Sequence, residues 1–323
     1  MAFIAWVPEG SRAGSISRAL GGEGRVFYDM RIQNKAFVPL RYVVSALRTI
    51  AYLVRRRPRA VIVQAPPVPA AALVLAWART AGARVVIDTH PASFGLESAR
   101  IDRVMRPFLA ALVPRAAGCI VTTPTLGLQI KRWKGRALVV HEAPMVWSDQ
   151  VEPHDCSAER RLLYVCTFAP DEPLEAVLEA ARQLPEIRFQ ITGDLRRRPP
   201  ATERLASPNV EWLGYLGPDE YTSALADADV VMALTRRDQS VQRSAHEAVD
   251  ALRPLVLSRW PHLDELFPYA VLVENDANGI AGGITEAFRR CDELSAAAPE
   301  AREVQRRRWR EQVRQLETAL NLH

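Results

Sequence analysis

The stretch NVEWLGYLGPDEYTSALADADVVMALTRRDQSVQRSAHEAVDALRPLVLS, Asn209 to Ser258, reads as strand, helix, strand, loop, helix, strand. Its inner strands, Val230–Leu234 and Pro254–Leu257, are short unbroken apolar runs, as a parallel sheet covered by helices on both faces requires. Between them the polar loop Thr235–Gln242 opens onto a helix with Glu247 in its first turns. Ligands of open α/β sheets bind beyond the carboxyl ends of the strands, where a helix N-terminus favours an anion such as a diphosphate. The pattern suits a nucleotide.

Working outward, the first half repeats the alternation. Apolar strand-like runs at Phe3–Trp6, Arg25–Tyr28, Ala60–Gln64, Arg84–Asp88, Gly118–Thr122 and Ala137–His141 enclose helical periodicity near Ser15–Leu20, Leu40–Val54, Ala70–Ala81, Ala99–Val113 and Leu126–Trp133. Strands separated by helices imply right-handed βαβ units and a doubly wound sheet. The irregular stretch Glu142–Arg160 reads as a linker, after which Leu162–Cys166 restarts the pattern. The expectation is an α/β protein of two Rossmann-like doubly wound domains facing across a cleft. Residues 1–150 form the first, residues 151–298 the second, and a final helix over 299–323 crosses back toward the first.

A length of 323 residues suffices for two domains that each bury a core. The net charge of +5 hides an asymmetry: residues 1–150 hold 21 Lys and Arg against 8 Asp and Glu, a balance of +13, and the remainder 21 against 29, a balance of −8. Such a split points to an anionic partner for the first half. Arg41, Arg48 and Arg55 recur at seven-residue spacing on one helix, sharing a face opposite Val43, Val44, Leu47, Ile50 and Val54, and with Arg56, Arg57 and Arg59 make a basic edge. Lys131, Arg132, Trp133, Lys134 and Arg136 set an aromatic ring among cations, as interfacial anchors do. An anionic membrane surface met through the basic N-terminal domain is one expectation; a solvated face is the alternative. No signal peptide and no membrane-spanning run is read, so a cytoplasmic protein, peripheral on the inner face of the membrane, is expected. Nucleic acid is excluded as a partner because the basic half lacks stacking aromatics and any nucleic-acid motif. Cys119, Cys156, Cys166 and Cys291 are widely spaced, which predicts reduced thiols, no disulfide and no metal site.

The Glu247 stretch resembles the donor half of GT-B glycosyltransferases, where two acids separated by seven residues precede a small-residue turn and Pro-Val. Glu247 is the second acid, which the resemblance implies holds ribose hydroxyls; Gln239 stands at the first. A carboxylate accepts from both hydroxyls in charge-assisted bonds. The runs VIVQAPPVPAAALV (Val61–Val74), VVIDTH (Val85–His90) and TFAPDEPLEAVLEA (Thr167–Ala180) are similar to the β-mannosyltransferase that extends chitobiosyl-diphospho-dolichol and its bacterial relatives. That resemblance implies a hexosyltransferase taking a UDP- or GDP-linked sugar, with no cofactor, to a glycan or lipid-linked acceptor.

An inverting transfer needs a base for the acceptor hydroxyl and positive charge or N–H groups for the leaving diphosphate. His90 follows an apolar strand in the position where relatives carry an activity-bearing histidine. Asp88, two residues earlier on the strand, points to the same side and is placed to orient the imidazole. His90 as a loop-held residue or a sugar ligand stays open, with Glu97 the reserve base. The Arg and Lys-Gly pair that relatives carry after the first strand of the second domain is absent, and Thr167 stands there. Charge compensation then falls to Thr167 and loop amides, Arg236, Arg243 and Ser244. Gly193 and Asp194 match a Gly-Asp turn in which the glycine lets the backbone approach the nucleotide. The Gly-Ser-rich loop from Gly10 to Ser17, with Ser11 and Arg12, and the stiff exit at Pro66 and Pro67 are assigned to the acceptor; a plain turn into a helix is the alternative for each. No Asp-x-Asp pair is found, and metal independence is expected. Two other functions fit the sequence: a catalytically silent nucleotide-binding partner subunit, favoured by Gln239 and the missing cations, and a nucleotide-sugar epimerase of the same fold.

Overall fold

The structure, a computed structural model, describes residues 1–7, 11–28, 38–95, 100–145, 147, 151–153 and 156–322. The chain divides into two compact units, residues 1–143 with 308–323, and residues 144–307. Each is built on a six-stranded sheet in which every strand pair is parallel.

The first unit runs β1 (Ala2–Ala5), α1 (Ser11–Ala19), β2 (Glu23–Val26), α2 (Val38–Arg56), β3 (Ala60–Ala65), α3 (Val68–Ala81), β4 (Arg84–Thr89), α4 (Arg100–Leu112), β5 (Gly118–Val121), α5 (Pro124–Arg132) and β6 (Ala137–Val139). The strand order is β2-β1-β3-β4-β5-β6. Successive side chains of a strand point to opposite faces, so Val61 and Val63 join Val74, Ile87, Leu109 and Ile130 in one core, whereas Ile62 joins Phe3, Ile16 and Ile120 in another. Leu316, Ala319 and Leu320 of the last helix complete that second core, and the Gln312 side chain bonds the His141 amide and ring.

The second unit runs β7 (Arg161–Tyr164), α6 (Leu174–Gln183), β8 (Arg188–Thr192), α7 (Ala201–Leu205), β9 (Val210–Gly214), α8 (Pro218–Asp227), β10 (Val230–Ala233), α9 (Arg243–Asp250), β11 (Leu255–Ser258), α10 (Pro261–Leu266), β12 (Val271–Val273), α11 (Ala277–Arg289) and the start of α12 (Cys291–Leu320). Its order, β12-β11-β10-β7-β8-β9, puts the first strand in the centre. The chain winds outward from β7 in both directions, and the loops after β7 and β10 part at this switch point.

Three features depart from the sequence reading. The stretch Ser11–Ser17, read as loop, is already helix α1; its single glycine, Gly14, is tolerated in a helix interior at about 1 kcal/mol relative to alanine. Second, Cys156 and Cys291 form a disulfide, with Cα atoms 6.1 Å apart, where none was expected. That spacing is within the bridging range, and a separation of 135 residues leaves no local signal of it.

Third, helix α2 turns its apolar stripe outward. Ser45, Thr49 and Leu53 are its buried residues, with the Ser45 hydroxyl donating to the Phe27 carbonyl and Thr49 Oγ1 accepting from the Trp6 indole at 2.9 Å. Leu40, Val43, Leu47, Ile50 and Val54 are exposed. Among the described residues no helix is long and apolar enough to cross a membrane.

Candidate active site

In the first unit the chemistry gathers at the carboxyl end of β4. Asp88, paired in register with Gln64 and Ile120, is fully buried. Its Oδ2 lies 3.4 Å from His90 Nε2, the same-side placement that strand alternation predicts. The second ring nitrogen of His90 has no partner among the described residues, and its side chain is one-third exposed, at 32%. The His90 amide donates to the Ala65 carbonyl, and the turn Pro91–Phe94 closes on the His90 carbonyl through Ser93 N. The ring thus stands at a fixed rim beside the Pro66–Pro67 exit of β3.

Arg12 reaches the same carboxylate from α1. Its Nε is 3.4 Å from Asp88, Nη1 pairs with Glu142 and Nη2 donates to the Val140 carbonyl at 3.0 Å. Burial alone would push the Asp88 carboxyl up, but the charge and hydrogen bond of Arg12 and the nearby His90 ring outweigh it and hold the group below its ordinary value. Burial pulls the Arg12 guanidinium down, and Glu142 and Asp88 together more than reverse that. A carboxylate favoured in its charged form beside an imidazole is an arrangement that can orient the ring. Arg12 is accordingly a buried partner of two carboxylates, 9% exposed. Gly10 and Glu97 lie outside the described residues, and Ser11 is described only as the first residue of α1. Pro66 and Pro67 lead directly into α3, with Pro67 as its N-cap, and border a small pocket with Tyr42, Ala92, Ser93 and Met105.

In the second unit the loops on either side of the switch point are tied together. Asp171, in the loop after β7, accepts from Thr235 Oγ1 at 2.7 Å, pairs with Arg237 at 3.2 Å, and accepts the Arg236 amide on its own carbonyl. Trp260 and Asn275 both donate to the Thr235 carbonyl, and Ser258 Oγ accepts the Thr235 amide. The Arg236 side chain is exposed and has no partner among the described residues. A rigid loop therefore presents an unengaged cation beyond the strand ends.

Glu247, on α9, is buried, at 7%. One carboxylate oxygen accepts the Tyr221 hydroxyl and the other Arg243 Nε, both at 2.6 Å. Burial first, then the charge of Glu247, drives the Tyr221 phenol far up, so it remains a donor. Tyr221 sits on α8, 26 residues away, and nothing in the sequence marked it. Ser244 is buried in the first turn of α9. Gln239, at the missing acid's position, has left-handed backbone (φ 63°) and bonds Asp238.

The loop after β7 holds its own anion. Phe168 is left-handed (φ 58°), a conformation in which successive N–H groups converge into a nest for negative charge. The Glu172 carboxylate fills it, accepting from Thr167 N at 3.0 Å, Thr167 Oγ1 at 3.1 Å and Ala169 N at 2.8 Å. The amides and hydroxyl that the sequence offered to a leaving diphosphate are occupied by a side chain of this chain. Gly193 (φ 130°) is needed for packing: a Cβ there would meet Phe168 Cε2 at 2.7 Å and the Cys166 carbonyl at 2.8 Å. Asp194 caps the short turn that follows and pairs with Arg196. Among the described residues no group of three or more His, Cys, Asp or Glu could hold a metal ion.

No curated protein matches the chain. Sucrose-phosphate synthase from Thermosynechococcus elongatus superposes with a TM-score of 0.76 at 14% identity over 98% of both chains. Anabaena HepE in complex with UDP and glucose gives 0.73 at 14% over all of both chains, and α,α-trehalose-phosphate synthase (UDP-forming) from Burkholderia vietnamiensis gives 0.70 at 14% over 98% of both. The chain has the GT-B fold, and its residues 159–290, which hold the switch-point loops and Glu247, match the family of glycosyl transferases group 1.

Proposed function

We propose that the protein transfers a sugar from a nucleoside diphosphate sugar to a hydroxyl of a lipid-linked or polysaccharide-building acceptor. The observation that carries this reading is the Glu247 carboxylate, held by Tyr221 and Arg243 on the helix that follows the clamped loop with its unengaged Arg236. That Anabaena HepE is solved with UDP and with UDP-glucose supports a uridine donor; a GDP-linked donor remains the alternative base. In this reading the second unit takes the donor and the first the acceptor. Glu247 grips the ribose, Arg236 and Arg243 meet the diphosphate, and Gly193 and Asp194 shape the loop beneath. His90 removes the acceptor proton on its free ring nitrogen while Asp88 stabilises the imidazolium, the arrangement an inverting, metal-independent transfer requires.

The mannosyltransferase branch rests on the three sequence runs alone. A cytoplasmic protein on the inner membrane face is part of the same proposal, supported by the basic clusters of residues 1–150 as its attachment. Thermal shift against UDP, GDP and their sugars, followed by transfer assays with the nucleotide that stabilises, tests the reading. His90→Ala is expected to abolish transfer with nucleotide binding intact, and equal stability with every nucleotide would end the case. Isomerised donor without transfer would assign an epimerase. The Glu172 carboxylate in the loop nest favours one second reading, a catalytically silent nucleotide-binding subunit; it predicts nucleotide binding with neither hydrolysis nor transfer.

A further inference from the structure

The feature no reading of the site absorbs is the outward face of α2. Leu40, Val43, Leu47, Ile50 and Val54 follow one another at spacings of three and four, and are 40–63% exposed. They form a single continuous stripe along a helix of 19 residues. Arg48 and Arg55, also exposed, follow Arg41 along a separate row of the helix, beyond Val44 and Ala51, and Arg56 and Arg57 lie at its end. The helix contains no acidic residue. On α4, Val104 (59%) and Phe108 (60%) are likewise exposed, one turn apart, with Arg103 and Arg106 beside them. The two helices meet at the pocket behind the Pro66–Pro67 exit, where Tyr42 of α2 and Met105 and Arg106 of α4 are among its walls.

Soluble helices bury such a stripe, and this one instead buries Ser45, Thr49 and Leu53. An exposed apolar face on a helix whose only charged residues are basic is the composition of a helix lying in a membrane interface. Its charge fits the +13 balance of residues 1–150 and an anionic leaflet, which attracts each added cation. A second copy of the chain fits less well. The stripe spans about two heptads where pairing helices sustain three or four, and its flanking positions, Val44, Ala46 and Ala51, carry no charges to set a register.

We infer that α2, aided by Val104 and Phe108 of α4, inserts into the interface of an anionic phospholipid membrane. The first unit is thereby seated with the pocket beside His90 close to the lipid surface. The inference deepens the lipid-linked acceptor reading and makes α2 the element that meets the bilayer, with the arginines as its electrostatic support.

The test uses the full chain without nucleotide, so that its failure and that of the donor reading are separate. The protein is floated with vesicles of phosphatidylcholine alone and of phosphatidylcholine with an equal share of phosphatidylglycerol. Binding to the anionic vesicles is expected, falling with added salt. The V43E/L47E double variant, at exposed positions, is expected to keep its melting temperature and nucleotide-induced shift and to lose about tenfold or more of its vesicle affinity. R48E/R55E is expected to weaken binding to anionic vesicles while leaving the apolar stripe in place. A chain that stays with the soluble fraction, a V43E/L47E variant that still floats, or a concentration-dependent dimer that V43E/L47E dissociates would each overturn the inference.

Discussion

Replacing Glu247 with glutamine separates a nucleotide ligand from a packing residue. The carboxylate holds Tyr221 and Arg243 with one oxygen each, and every carboxylate oxygen keeps a further lone pair for a ribose hydroxyl. The amide preserves the shape, and Arg243, 44% exposed, can turn to water at little cost. What changes is bond strength: hydrogen bonds to a charged group are worth about 1.5–3 kcal/mol, and neutral ones about 0.5–1.5. With roughly 1 kcal/mol lost at each of two hydroxyls, the dissociation constant of UDP should rise about thirtyfold. In a thermal-shift assay at roughly a hundred times the wild-type constant, the ligand adds about 2.7 kcal/mol to the wild type, and about 0.8 to the variant. At about 2–4 °C per kcal/mol for a domain of this size, the shift should fall from roughly 5–11 °C to about 2–3 °C. Titration calorimetry supplies the constants directly. A Glu247→Gln protein that binds UDP within twofold of wild type would refute the assignment.

Three further outcomes follow from named contacts. Glu172→Gln removes the charge that fills the loop nest, so UDP should bind more tightly if the diphosphate lies there; unchanged or weaker binding in calorimetry would place it elsewhere. Gly193→Ala sets a Cβ against Phe168 and the Cys166 carbonyl at a positive φ, and should cost about 1–3 kcal/mol in urea unfolding; a neutral result would show that the loop yields. Burial raises Asp250 to about 6, against the Met145 amide and the charge of Arg306. Its stabilising share is therefore complete below the unfolded value near pH 3.8 and is lost as pH rises through about 6. Asp250→Asn should be more stable than wild type at pH 7.5, by up to about 3 kcal/mol, with the gain vanishing by pH 4; equal stability across that range would contradict it.

Strands, their order of appearance and the Asp88–His90 proximity were legible in the sequence because each depends on a local period. Alternation along β4 places two side chains on one side regardless of what lies elsewhere, and short apolar runs between turn signals fit covered strands, although the longer run of α3 is a helix. The contacts that give the candidate site its character are between distant positions. Tyr221 reaches Glu247 across 26 residues and Arg12 reaches Glu142 across 130, and no periodicity encodes either. Helix α2 shows the limit of patterning. Its amphipathic period was visible, but which face turned inward depended on the Trp6 indole and the Phe27 carbonyl meeting two hydroxyls. The anion nest after β7 was hidden for another reason: a left-handed Phe168 breaks the rule that such positions belong to glycine.

Helix α9 has only eight residues, about 12 Å of rod, and carries Glu247 and Asp250 less than one turn apart. At its far end Asp250 receives the Met145 amide, 105 residues earlier in the chain. A rod this short has no bend in which to absorb a displacement, so a shift at Met145 is carried to Glu247 almost undiminished. Under the proposed function, the grip of Glu247 on a nucleotide is therefore set in part by a linker residue, Met145, that lies far from it in the sequence.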